Sequence, residues 1–228
     1  MSAGTASLAG KIPSPEREPA VTDSGYRHIV LVIDRSGSME PVKADTEGGV
    51  KTFIEEQRRV PGRTTISLFQ FDTEHDEVAS FADVRKDLKW RLVPRGGTAL
   101  LDAAGFAVTK TGERLAALAE DARPSEVIVL IATDGQENSS HEYTLPQVKE
   151  MITRQQDDYG WKFVFIGANQ DAFAAGGAMG VPAASTADYD TTSTAGAFAS
   201  ASSMVSRGAS SGTYGFTPEE RDAATGSK

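Results

Sequence analysis

Four stretches of the chain are apolar almost without a break: HIVLVID (28–34), TTISLFQF (64–71), EVIVLIAT (126–133) and WKFVFIG (161–167). Runs of this length, rich in β-branched and aromatic residues, read as strands. Strands apolar on both faces belong to a sheet covered on both sides. DEVASF (76–81) is less apolar and predicts an antiparallel return strand at a sheet edge. Between these runs the period changes to that of a helix. Val42, Thr46, Val50, Phe53, Ile54 and Gln57 fall on one face of 40–59, with Pro41 near the first turn, where a missing N–H costs little. Leu101, Ala104, Val108, Leu115 and Leu118 mark a second helix. Thr144 and Gln147 make a capping box for a third, with Val148, Met151 and Ile152 inward. A short helix follows at 169–179.

Strands alternating with helices predict an α/β fold: a three-layer, doubly wound, mostly parallel sheet with one antiparallel edge strand. Residues 1–25 are rich in Pro, Ser and Glu without periodicity and read as a flexible leader. The α/β domain is placed at 26–182. Beyond Pro182 the composition shifts to Ala, Ser, Thr and Gly, so 183–228 is read as a C-terminal extension with short helices. One is expected at 194–206, with Ala197, Phe198, Ala201 and Val205 on one side. Another is expected at 216–224, with Thr217 as N-cap and Pro218 in the first turn.

Composition narrows the function. A formal charge of −9 over 228 residues argues against nucleic acid or an anionic membrane as partner. No apolar run reaches spanning length, and the first residues lack a signal-peptide core, so the expected location is the cytoplasm. The absence of cysteine removes disulfides, thiolate metal sites and cysteine nucleophiles.

One feature resists a packing account. The first strand runs into Asp34, with Ser36 and Ser38 at alternate positions after it. In an open parallel sheet, ligands bind beyond the carboxyl ends of the strands, near the point where strand order reverses. RGGTALLDA brings Thr98 towards the same edge, and ATDGQENSS brings Asp134 at the end of the most hydrophobic strand. Two carboxylates and three hydroxyls suit a hard divalent cation, Mg²⁺ first, with Mn²⁺ or Ca²⁺ as competitors. Neutral hydroxyls donate weakly and need not fill the shell. An anionic oxygen from outside, such as an Asp or Glu carboxylate of a partner protein, is then the expected last ligand. Thr98 also reads as the N-cap of the second helix, and Gly48–Gly49 within the first helix as a close-packing site. Asp102 and Glu137 read as solvated surface acids. His28, His75 and His141 have no companion at ligand spacing. Trp90 and Trp161 read as core or groove fillers.

Asp34-x-Ser36-x-Ser38, Thr98 and Asp134-Gly135, in that order and on those loops, resemble the metal-ion-dependent adhesion site of von Willebrand factor type A domains. The resemblance spans about 26–182, and the chain is similar to bacterial and phage single-domain members of that family. It implies that the two serines and the threonine contact the metal, and that Asp34 and Asp134 bind it directly or through water. The expected function is a metal-dependent protein-binding module, an adaptor or assembly component without catalysis. A structural component of a larger assembly, held by its tails, is one rival. A Mg²⁺-dependent phosphotransfer enzyme is another, disfavoured because Ser36 stands where such enzymes carry their acid–base aspartate and no phosphate-cradling glycine loop is present.

Overall fold

The structure is a computed structural model, and it describes residues 23–168 and 171–226. The leader lies almost wholly outside the described residues, as does the start of the helix expected from 169. In chain order the main elements are β1 (Asp23–Asp34), α1 (Lys43–Gln57), β2 (Arg63–Phe71), β3 (His75–Asp83) and α2 (Leu100–Ala117). They continue with β4 (Pro124–Thr133), α3 (Leu145–Tyr159), β5 (Lys162–Ala168), α4 (Ala172–Ala178), β6 (Thr186–Tyr189), α5 (Thr194–Ser211) and α6 (Pro218–Thr225). A short 3-10 turn over Gly37–Val42 leads into α1.

The six strands lie in the order β3-β2-β1-β4-β5-β6. Every pairing is parallel except β2 with β3, the expected antiparallel edge. Alternation along each strand divides the core in two. Ile29, Leu31, Ile33, Ile128, Leu130, Val164 and Ile166 face one layer, with residues of α1, α5 and α6. Val30, Val32, Val127, Val129, Ile131, Phe163 and Phe165 face the other, with α2 and α3. This is why the central strands read as unbroken apolar runs: neither face meets water.

Of the part of the chain placed outside the α/β domain, 183–228, the described residues include a sheet strand and a core helix of its layers. β6 pairs with β5 from Phe165↔Thr186 to Ala168↔Tyr189, and Ala197, Phe198, Ala201, Met204 and Val205 of α5 are buried in the core. Small residues there let α5 lie close to α1. A Cβ on Gly49 would stand 2.7 Å from the Phe198 ring, so the helix-weakening glycine is set by this contact, with α5 rather than the sheet as its neighbour. A four-residue strand such as β6, TADY, is too short for periodicity to reveal. The expected capping box forms between Thr144 and Gln147, and Thr217 caps α6 as expected, with Glu220 completing a second box there.

Strand order reverses between β1 and β4. The chain winds outwards from β1 through β2 to β3, then crosses back to lay β4 on the other side of β1. The carboxyl ends of these two strands are Asp34 and Thr133, followed at once by Asp134.

Candidate metal centre

The loops after β1 and β4 meet through side-chain oxygens. Ser36 Oγ and Ser38 Oγ are 3.0 Å apart, and Ser38 donates to Asp134 Oδ1 at 2.7 Å. Asp34 sits beneath them, fully buried. Its Oδ1 accepts the Ser36 backbone N–H at 2.6 Å, and its Oδ2 accepts the Thr133 hydroxyl at 2.6 Å. Thr98 joins from the third loop. A Cβ built on Gly135 would lie 3.2 Å from Thr98 Oγ1 and 3.6 Å from Ser38 Oγ, so one small hollow over this glycine is bordered by both hydroxyls. All five sequence-predicted residues therefore lie at the crossover point. Asp34, Ser36, Thr98 and Asp134 are buried, and Ser38 is exposed at the mouth.

Electrostatics mark the same place. Burial pushes the Asp34 carboxyl up to about 6, opposed by hydrogen bonds from Thr133 and Ser36 and reinforced by the charge of Asp134. Burial also raises Asp134, against the hydrogen bond from Ser38. Tyr189, the buried last residue of β6, has its phenol raised by burial and then by the charges of Asp134 and Asp34. Two carboxylates thus share a dehydrated edge. No group of three or more His, Cys, Asp or Glu suited to a metal occurs among the described residues, so a cation here must draw on hydroxyls.

Thr98 is not the N-cap of α2. That position is Ala99, which offers no side-chain cap. The orphan N–H groups of the first turn are taken by the loop after β4 instead. Leu101 N–H donates to Glu137 Oε2 at 3.0 Å, and Leu101 and Asp102 N–H both donate to Ser140 Oγ at 3.1 Å. This leaves the Thr98 hydroxyl free to face the hollow, while Asn138 holds the Thr98 backbone N–H at 2.9 Å.

Asp102 and Glu137 are not solvated acids. Asp102 is 1% exposed and accepts the backbone N–H groups of His141, Glu142 and Tyr143 at 2.7–2.9 Å. Half-buried Glu137 accepts those of Ser139 and Ser140. Together they clamp the Asp134 loop onto the start of α2. Of the other residues considered, Trp161 is core, while Trp90 donates to Gln70 at 3.1 Å on the flank of the sheet. His28 is buried on Phe81, His75 packs on Phe106, and His141 is exposed.

Sequence reasoning missed the group that ties the other two loops together. Asp72, directly after β2 and 1% exposed, receives Arg35 Nε and Arg95 Nε, each at 2.7 Å. Its carbonyl accepts the N–H of Ala99 at 2.8 Å, the Arg95 N–H reaches Arg35 O at 2.9 Å, and the Gly37 N–H reaches Gly96 O at 3.1 Å. Burial raises the Asp72 carboxyl, but hydrogen bonds from Arg95, the Glu74 N–H and Arg35 outweigh it and hold it below the usual range. The signal that exposed Asp34 and Asp134, an apolar strand running into aspartate, is also present in ISLFQFD.

Comparison with known proteins follows the same line. The family model for the von Willebrand factor type A domain matches residues 28–206. No curated protein sequence matches the chain. Among solved structures, a mussel byssus proximal thread matrix protein with a zinc-occupied MIDAS motif aligns at 18% identity and a TM-score of 0.52, over 75% of this chain and 43% of that one. The manganese-loaded TRAP protein of Plasmodium vivax aligns at 18% identity and 0.50, over 74% and 70%. The von Willebrand factor domain of the pilus tip protein Mfa5 from Porphyromonas gingivalis gives 12% and 0.57, over 89% and 100%. The chain spans about half the length of the mussel protein, 48% in another of its crystal structures. At such identities the structures speak to fold alone. With the family model covering most of the sequence, this chain belongs to the von Willebrand factor type A domain family.

Proposed function

We propose that the chain is a divalent-cation-dependent protein-binding module whose partner supplies an Asp or Glu carboxylate at the crossover edge. The observation that carries this reading is the convergence of Ser36, Ser38, Thr98 and Asp134 from three separate loops on the hollow over Gly135. The donor set fits Mg²⁺ or Mn²⁺: hard oxygens only, with two carboxylates raised by burial. Asp34 and Asp134 supply the negative charge. The three hydroxyls orient and complete the cradle without neutralising more of it. Thr133, the Ser36 backbone and the Asp72 network hold these groups in place. When bound, a dication supplies an electrophilic position for an external carboxylate oxygen.

Binding without turnover is part of the proposal. Neither site serine hydrogen-bonds a histidine: their hydroxyls face each other and Asp134. Among the described residues no helix is long and apolar enough to cross a membrane.

The test has two arms. Titration calorimetry with MgCl₂ and MnCl₂ should show one site in the wild type and none in Asp34→Ala or Asp134→Ala. Crosslinked capture of partners from the native host should be lost with EDTA and restored by Mg²⁺. Cation uptake unchanged in both variants would end the proposal, and so would turnover of phosphate esters abolished by Asp34→Asn.

A further inference from the structure

A large concavity lies far from the crossover edge. It opens at the amino-terminal ends of β1 and β4, between the ends of α1 and α5, and holds about 1010 Å³. Arg27 of β1 lies in its floor, 5% exposed. The contacts of this guanidinium are few: Thr64 Oγ1 at 3.1 Å and Gln57 Oε1 at 3.5 Å. No carboxylate comes within 4.0 Å of it among the described residues. A buried charge without a counter-ion is costly, and proteins ordinarily pair it.

We propose that this concavity binds a small monocarboxylate with an apolar tail, and that Arg27 is its anchor. Guanidinium and carboxylate match as two parallel hydrogen bonds, strongest where water is excluded. The hydroxyls of Ser203 and Ser206 stand on the same wall and offer further donors. Charge on the rim selects the ligand's valence. Glu56 and Glu126 balance Arg27 and Arg59, so a dianion such as phosphate meets no net positive field. Glu126, opposite Arg27 on β4, accepts the Tyr214 hydroxyl at 2.9 Å; its charge acts on Arg27, but it makes no ion pair with the guanidinium. Val60, Pro61 and Ala209 supply the apolar surface for the tail.

Thermal unfolding and titration calorimetry with hexanoate and benzoate test the site, with 1-hexanol and inorganic phosphate as controls. At roughly ten times its Kd, hexanoate should raise the Tm of the wild type by about 3 °C. Hexanol and phosphate should leave it unchanged. The rise should vanish in Arg27→Met, which removes the charge, and in Ser203→Trp, which fills the mouth from an exposed position on α5 and keeps Arg27. Cooperative unfolding and an unchanged far-UV spectrum show that each variant is folded, and Ser203→Trp carries the test should Arg27→Met fail to fold. The proposal is overturned if neither carboxylate binds, if hexanol matches hexanoate, if phosphate alone binds, or if folded Arg27→Met retains the full shift. The metal site plays no part in these readouts, so they stand or fall separately from it.

Discussion

Two arginines eight residues apart, at opposite ends of the same strand, are equally buried and live in opposite circumstances. Arg35, just past the carboxyl end of β1, is 5% exposed and held by Asp72 at 2.7 Å and Asp76 at 2.6 Å. Arg27, near the amino-terminal end, is 5% exposed and has only a threonine hydroxyl and a distant glutamine carbonyl. The first charge is spent internally, fixing the loops that carry Ser36 and Thr98. The second is left available. The sheet therefore has one edge whose charges are neutralised to build a rigid cradle and another whose charge faces an open hollow. Burial alone does not tell a structural arginine from a binding one; the counter-ion does.

The largest expected effect comes from breaking the satisfied end. Arg35→Met leaves the Asp72 carboxylate buried with Arg95 as its remaining charged partner, beside the Glu74 N–H and the Thr73 hydroxyl. The variant should lose about 3 kcal/mol in urea unfolding, the low end for a buried pair deprived of one member. A loss below about 1 kcal/mol, on the scale of an exposed pair, would mean that Arg95 and Glu74 sustain the loop unaided.

This contrast also marks what the sequence discloses. The layered fold was legible because apolar runs and helical periods reflect two buried sheet faces. That Asp34, Ser36, Ser38, Thr98 and Asp134 would meet at one edge was legible because the carboxyl ends of parallel strands and the loop before a helix share that edge. Asp72 carries the same signature and a different fate, since its neutralisation by Arg35 and Arg95 depends on side chains brought together only by the fold. Asp102 looked like a surface acid for the same reason: three backbone N–H groups from the 141–143 loop decide its role, and no sequence spacing announces them. Thr98 looked like a helix cap, because nothing in RGGTALLDA says that Glu137 and Ser140 will cap that helix from another loop.

Acid distinguishes the two ends at an intermediate magnitude. His28, next to Arg27, is buried and stacked on Phe81 at 3.8 Å. Burial lowers its pKa to about 3, aided by the charge of Arg114 and opposed by its hydrogen bond with Thr65. The unfolded chain takes up this proton near pH 6.5 and the folded one does not. Its contribution is therefore complete above pH 6.5 and declines as pH falls from there towards 3. Asp72, held below the usual carboxylate range, gives way only at lower pH, below its unfolded value near 3.8. Asp34 works in the other direction between about 6 and 3.8, and it is common to any pair of proteins compared. From pH 7.5 to 5, the wild type should lose about 2 kcal/mol more than His28→Leu, read from urea midpoints. Equal slopes would show that His28 is protonated in the fold and would remove the acid asymmetry.

The smallest effect is the sharpest test of the comparison. Arg27→Met removes a charge that makes no ion pair within 4.0 Å among the described residues, at the cost of one good hydrogen bond to Thr64 and a long one to Gln57. Gln57 keeps its other partners: its amide donates to Ser202 Oγ at 3.0 Å and Ser206 Oγ at 2.9 Å, so the α1–α5 contact survives. Desolvation recovered and hydrogen bonds lost nearly cancel, and stability should change by no more than about 1 kcal/mol in either direction. Matched urea curves for Arg27→Met and Arg35→Met therefore decide the matter. If the two substitutions prove equally damaging, Glu126 is compensating Arg27 from the neighbouring strand β4, and the two ends of β1 differ in distance to an acid rather than in having one.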